Sequence, residues 1–147
     1  MTILDLAKRH IGIRELGADA DHPLIQWWLS LCHFGPDSPD ETPWCSAFVN
    51  GMAWLCGYAR SENASARSWL RVGTGVPLAE ARPGDVIVLK RGVEPQPGPE
   101  VLSAQGHVGL FDGFESGQIA VVSGNMGDAV TRALFRVDKV LGVRRLS

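Results

Sequence analysis

Three side chains in this sequence have the types and settings that nucleophilic acyl chemistry needs: Cys45, His107 and Asn125. A cysteine nucleophile requires a stabilised thiolate, a nearby imidazole and a rigid mount. Cys45 opens the run Cys45-Ser-Ala-Phe-Val-Asn-Gly-Met-Ala-Trp-Leu-Cys56, which reads as a helix, so its thiol falls in the first helical turn. The partial positive charge of a helix N-terminus, helped by an imidazolium, can lower a thiol pKa from about 8.5 into a range of roughly 3.5–7.5. The unpaired N–H groups of the same turn also suit an oxyanion. On this reading Cys45 is the one rapidly alkylated thiol. His107 follows Gln105-Gly106 and opens the strand-like run His107-Val-Gly-Leu-Phe111, where alternation puts it on one face with Gly109 and Phe111. The third member must orient the imidazole through its second nitrogen. Asn125 stands two residues beyond Ser123, on the same strand face, and is the first choice. Asp112 is a weaker one, on the opposite face from His107.

The elements that must position these groups have two textures. The first half reads as helix and loop. Ile3, Leu6, Ala7, His10 and Ile11 share a helical face, with Gly12 weakening that helix and Gly17 ending it. Pro23 suits the first position of a second helix to Leu31, capped by Asp21 or His22. A proline-rich loop follows. Then comes the Cys45 helix, apolar nearly all round and so expected to be central and buried, with Gly57 as its stop. A fourth short helix is expected over Ser65 to Val72. From Arg82 the period changes. Pro83-Gly84 is a turn, and Asp85–Lys90, His107–Phe111, Gln118–Ser123, Ala129–Arg136 and Val140–Leu146 read as strands. Helices followed by closely spaced strands give an α+β fold with an antiparallel sheet. The Pro- and Gly-rich stretch Arg91 to Gly106 has no apolar period, delivers the chain to His107, and is expected to be mobile and to border the site.

The remaining chemistry-bearing residues read as structural. Cys56 lies on the Cys45 face about 16 Å further along and, like Trp54, is expected in the core. Cys32 is expected half-buried and His10 inward-facing. The spacings of the three cysteines fit no zinc template, and Asp19, Asp21 and His22 read as a loop and a helix cap. Neither metal nor cofactor is expected. Trp44, beside Cys45, is placed as the floor of a substrate groove.

Composition narrows the partners. Lys and Arg number 14 against 16 Asp and Glu, for a net charge of −2, so there is no basic field to hold nucleic acid or an anionic membrane. The most apolar run is too short to span a bilayer. Residues 1–16 look like an amphipathic helix and not a secretory signal. The expectation is one domain over 1–147, a monomer made in the cytoplasm that acts at the cell wall or periplasm after holin-type or secretion-system release.

Taken together, TPWCSAFVNGMAWLCG, RPGDVIVLKRG, QGHVGLFDG and VVSGNMGD, in that order, resemble the NlpC/P60 and CHAP superfamily of papain-like cysteine peptidases, in particular its small single-domain phage and bacterial members. The likeness runs from Ile11 to Leu146. It implies a papain-like arrangement, with the Cys-bearing helix packed on an antiparallel sheet or small barrel. It also implies hydrolysis of amide bonds in the peptide of peptidoglycan, as endopeptidase or amidase, with Cys45 as nucleophile, His107 as base and Asn125 as third residue. Many NlpC/P60 enzymes have a further His in that third place and a Tyr before the nucleophile. Here Asn125 stands in the first, and the only tyrosine, Tyr58, follows Cys45. Glu41 and Thr42, near Cys45 in sequence, join Trp44 as substrate-binding candidates. Two other readings stand beside the hydrolase: a non-catalytic phage or bacterial module, which the acidic balance favours, and a delivered toxin amidase with an immunity partner.

Overall fold

The structure is a computed structural model and describes residues 1–16, 22–33, 44–92 and 94–147. Helix α1 spans Ile3–Lys8, α2 Pro23–Ser30 and α3 Cys45–Cys56, followed by a 3₁₀ helix, Ala66–Arg71. The strands are β1 (Thr74–Val76), β2 (Val86–Lys90), β3 (Gly106–Glu115), β4 (Gln118–Met126), β5 (Ala129–Arg136) and β6 (Val140–Arg145). They form one antiparallel sheet in the order β1-β6-β2-β3-β4-β5. The α+β class read from the sequence is the class observed.

Local chemistry accounts for the helix starts. Thr2 and Asp5 form a reciprocal capping box on α1, at 3.0 and 3.1 Å. His22 caps α2 by accepting the Leu24 N–H at Nδ1, with Pro23 behind it at the first helical position; the other proposed cap, Asp21, lies outside the described residues, as does Gly17. Helix α1 stops at Lys8, short of the apolar pattern that runs to Ile11. The cause is tertiary. From Gly12 the chain turns out to pair with the start of β5: Gly12 N–H donates to Val130 O, Val130 N–H to Ile13 O, and Glu15 N–H to Asp128 O. Those backbone bonds take the place of further helical ones.

Helix α3 is the centre of the molecule. Its first nine residues, Cys45 to Ala53, are buried, and Gly57 ends it in the left-handed conformation at φ 72°. Gly51 lets α2 approach, since a Cβ there would lie 2.3 Å from Trp28 Cδ1. The last turn comes to the surface. Trp54 is 50% exposed and packs edge-to-face on Trp27, so it is not the core residue its period suggested. Cys56 is likewise only partly buried, whereas Cys32 is buried.

The sheet is apolar on both faces, because it curls. Val86, Val88, Val108, Leu110 and Val122 face the helices and join their core. Ile87, Leu89, Phe111, Ile119, Val121 and Val143 face inward on the curl, closed over by Phe135 and Val140. Uninterrupted apolar strands such as Val86–Leu89 are what a sheet buried on both faces requires. Asp85, buried at the foot of β2, accepts both Nε and Nη2 of Arg145 at 3.0 and 2.8 Å and also caps the Arg82 N–H. This ties the Pro83-Gly84 turn to the end of β6. Strand β1, three residues long, escapes the sequence pattern; it exists by pairing Thr74–Val76 with β6.

Candidate active site

The β3–β4 ladder runs from Glu115↔Gln118 to Leu110↔Val122 and ends there. Phe111 N–H bonds back to Asp85 on the β2 side, so alternation turns the Val108 N–H toward the β4 side. The backbone N–H groups of Val108, Ser46 and Cys45 itself all act on the Cys45 thiol, lowering its pKa. The thiol at the start of α3 thus feels the backbone of Val108, the residue that follows His107.

His107 stands across from Leu89 on the inner face of the curl. Its Nε2 lies 2.8 Å from Ser123 Oγ on β4, and its ring packs on Phe135 at 5.7 Å between centroids. Two glycines make this fit possible. A Cβ at Gly109 would meet Val121 Cγ1 and Ser123 Cβ at 2.5 and 2.7 Å, and one at Gly124 would meet the Trp44 ring at 2.5 Å. Either side chain would force β4, and Ser123 with it, away from the histidine.

Burial controls the protonation of both groups. Cys45 is 3% exposed and His107 is 5% exposed. Desolvation raises the Cys45 thiol above its ordinary range, against the backbone N–H of Val108, the charge of Arg91 and the N–H groups of the first turn, all of which act to lower it. Desolvation, with Arg91 second, pushes His107 down to about 4. Both shifts favour the uncharged forms, neutral thiol and neutral imidazole. This direction runs against the thiolate expected from helix position: the first-turn N–H groups act to lower the thiol, and the loss of water outweighs them.

Residues 37–125, which span Cys45, His107 and Asn125, match the CHAP domain family over more than half of the chain. The chain belongs to the CHAP domain family. CHAP domains are typically cysteine- and histidine-dependent hydrolases, and the family points to peptidoglycan as substrate. No curated protein matches the chain in sequence.

Among the other expected site residues of this CHAP domain, Asn125 lines a cavity with His107 but does not hydrogen-bond to it. The β4–β5 register shifts between Ser123 and Met126, and Asn125 is left-handed at φ 61°. Strict alternation fails at such a bulge. The contact to His107 expected of Asn125 is made by Ser123, two residues earlier on the same strand. Asp112, the weaker choice, is instead paired with Lys8 and Arg132 at 2.9 and 2.6 Å. Trp44 is fully buried under Gly124, with its Nε1 donating to Glu15 at 2.8 Å, so it supports the site from within rather than flooring a groove. Glu41 and Thr42 lie outside the described residues, as do Asp19 and Asp21. Among the described residues no cluster of His, Cys, Asp or Glu could hold a metal ion.

Two supports escaped sequence reasoning. Ser46 is fully buried, donates to Asn63 O at 2.6 Å and accepts the Trp69 indole at 3.0 Å, which fixes the turn that carries Cys45. Arg67 is also fully buried. Its guanidinium donates to the carbonyls of Pro97, Gly98, Val101 and Gln105 at 2.7–3.0 Å. The stretch before His107 borders the Cys45 cleft, as expected, through Ser103 to Gly106. It is not the free loop that its composition suggested, because one arginine satisfies four of its carbonyls. No local pattern distinguishes Arg67 from a surface arginine on a short helix.

Proposed function

We propose that the chain is a peptidoglycan hydrolase that cuts amide bonds of the wall peptide with Cys45 as nucleophile and His107 as general base. The observation that carries this reading is a cysteine buried at the start of α3, its thiol acted on by the backbone N–H of Val108, with the residue before Val108 in sequence, His107, held at Nε2 by Ser123. That engagement leaves Nδ1 to take the thiol proton and Nε2–H to donate to Ser123. The sulfur then attacks the peptide carbonyl, the first-turn N–H groups stabilise the oxyanion, and His107 returns the proton to the leaving amine. Water releases the acyl group by the reverse sequence. A neutral imidazole is in the state needed to accept the proton, although its low basicity limits the driving force.

The whole of 1–147 is proposed as one catalytic domain. In support, β5 and β6 continue the sheet that carries His107, and α1 and α2 pack on α3. The site of action on this reading is the cell wall, where the substrate is. Incubation of purified peptidoglycan with the protein, followed by mass spectrometry of the released fragments, tests the reading and identifies the bond. Release of peptide fragments that Cys45→Ala and His107→Ala both abolish is expected. Intact peptidoglycan with the native chain would leave a non-catalytic module of the same fold.

A further inference from the structure

We propose that Arg91 is a specificity residue of this site and reads a free carboxylate on the substrate peptide, so that the protein selects anionic over amidated wall peptides. The inference rests on the hydrolase reading for the identity of the ligand. Its evidence is separate.

Arg91 follows β2, directly after Lys90, and lines two adjoining openings. One is the cleft of Cys45, Gln105 and Gly106; the other is the cavity of His107, Asn125 and Phe135. It is exposed, and its charge acts on both Cys45 and His107. The guanidinium therefore stands within electrostatic reach of both reacting groups and open to solvent.

Among the described residues, Arg91 has neither a hydrogen bond nor an ion pair. Its neighbours differ. Lys90 and Lys139, which line the same cavity, share Glu94 at 3.9 and 3.3 Å. The other arginines placed on the sheet also have partners: Arg132 has Asp112 and Glu115, and Arg145 has Asp85. In a chain of net charge −2, an unpaired guanidinium beside a thiol and an imidazole is set against the general balance. It also lowers the basicity of the histidine it faces, which no structural role requires. A carboxylate supplied by the ligand would match the planar donor fork and offset that charge.

The test uses a synthetic wall-type tetrapeptide with its carboxylates free and the same peptide with each carboxylate amidated. Binding is measured by calorimetry on the Cys45→Ala protein, and turnover on the native protein. The free-carboxylate peptide is expected to bind about 10- to 100-fold more tightly than the amidated one, the range of one charge-assisted hydrogen-bonded contact. Arg91→Gln in the Cys45→Ala background should remove that preference, and Arg91→Lys, which keeps the charge but not the fork, should retain only part of it. In the native protein the preference should appear in KM more than in kcat. Equal binding of the two peptides, binding of neither, or a preference that survives Arg91→Gln would each overturn the inference. If Arg91→Gln does not fold, full preference in Arg91→Lys overturns it and partial preference supports it. Preferential binding without cleavage by the native protein would instead fell the hydrolase reading and leave the carboxylate site standing.

Discussion

The neutral, buried state of His107 predicts a specific dependence of stability on pH. The unfolded chain carries a histidine of ordinary pKa, 6.5, whereas the folded value is about 4. Between these values the unfolded state binds the proton and the native state does not. Stability is therefore full above pH 6.5, falls as the pH drops toward 4, and levels off with respect to this group below that. At 1.36 kcal/mol per pH unit the loss is about 3 kcal/mol, a large share of the 5–15 kcal/mol typical of a domain. Other groups add slopes of their own. Asp112, although burial raises it, is held low by hydrogen bonds from Arg132 and Lys8; Glu94 is held low by the Gln96 N–H. These carboxylates act alike in the native chain and in His107→Gln, so the difference between the two proteins isolates the histidine. Urea unfolding at intervals from pH 7.5 to 4 should show the native chain losing about 3 kcal/mol more than His107→Gln. Arg91→Gln should reduce that excess, since Arg91 is the second cause of the shift. Parallel curves for the native chain and His107→Gln over this interval would refute the burial of a neutral imidazole, and with it the neutral resting pair.

Three further outcomes are expected. Ser123→Ala leaves His107 Nε2 without its partner and should lower kcat/KM about tenfold, the cost of one buried unsatisfied group, whereas Asn125→Ala should cost less; the reverse order in a peptidoglycan-release assay would restore Asn125 as the orienting residue. In the resting protein, half-exposed Cys56 should be alkylated by iodoacetamide before buried Cys45 and before Cys32, whose thiol burial pushes up to about 12; peptide mapping of a time course reads the order. Arg67→Met strands four loop carbonyls and should raise amide hydrogen exchange across 97–105 well before global unfolding, with unchanged exchange there counting against the arginine as the loop's anchor.

Much of the frame was legible because its signals are local. The switch from helical to alternating period near Arg82, Gly57 as a helix stop and the turn at Pro83-Gly84 depend only on nearby residues, and each element they announce is present. Cys45 at a helix start and His107 at a strand start were legible for the same reason. What failed depends on contacts between distant segments. Helix α1 stops early because β5 takes its backbone groups. Trp54 is half-exposed because, among the described residues, Trp27 meets its ring edge-to-face and leaves much of it to solvent. The loop before His107 is pinned by a residue 30 or more positions earlier.

Asn125 lacks a hydrogen bond to His107 for a subtler reason, and it bears on mechanism. Alternation predicts Ser123 and Asn125 on the His107 face of β4; Ser123 is there, but the bulge between Ser123 and Met126 takes Asn125 out of the period. The substitution of a hydroxyl for an amide does not change the charge at that position: neither carries a carboxylate that would stabilise an imidazolium. Buried, and acted on by the charge of Arg91, His107 is kept neutral, and burial holds the Cys45 thiol toward its protonated form. The same helix terminus that suggested a resting thiolate thus faces a pair whose charges must be created during the reaction. The first-turn N–H groups, held rigid through Ser46, Asn63 and Trp69, then serve the charge that develops in the transition state more than the resting thiol.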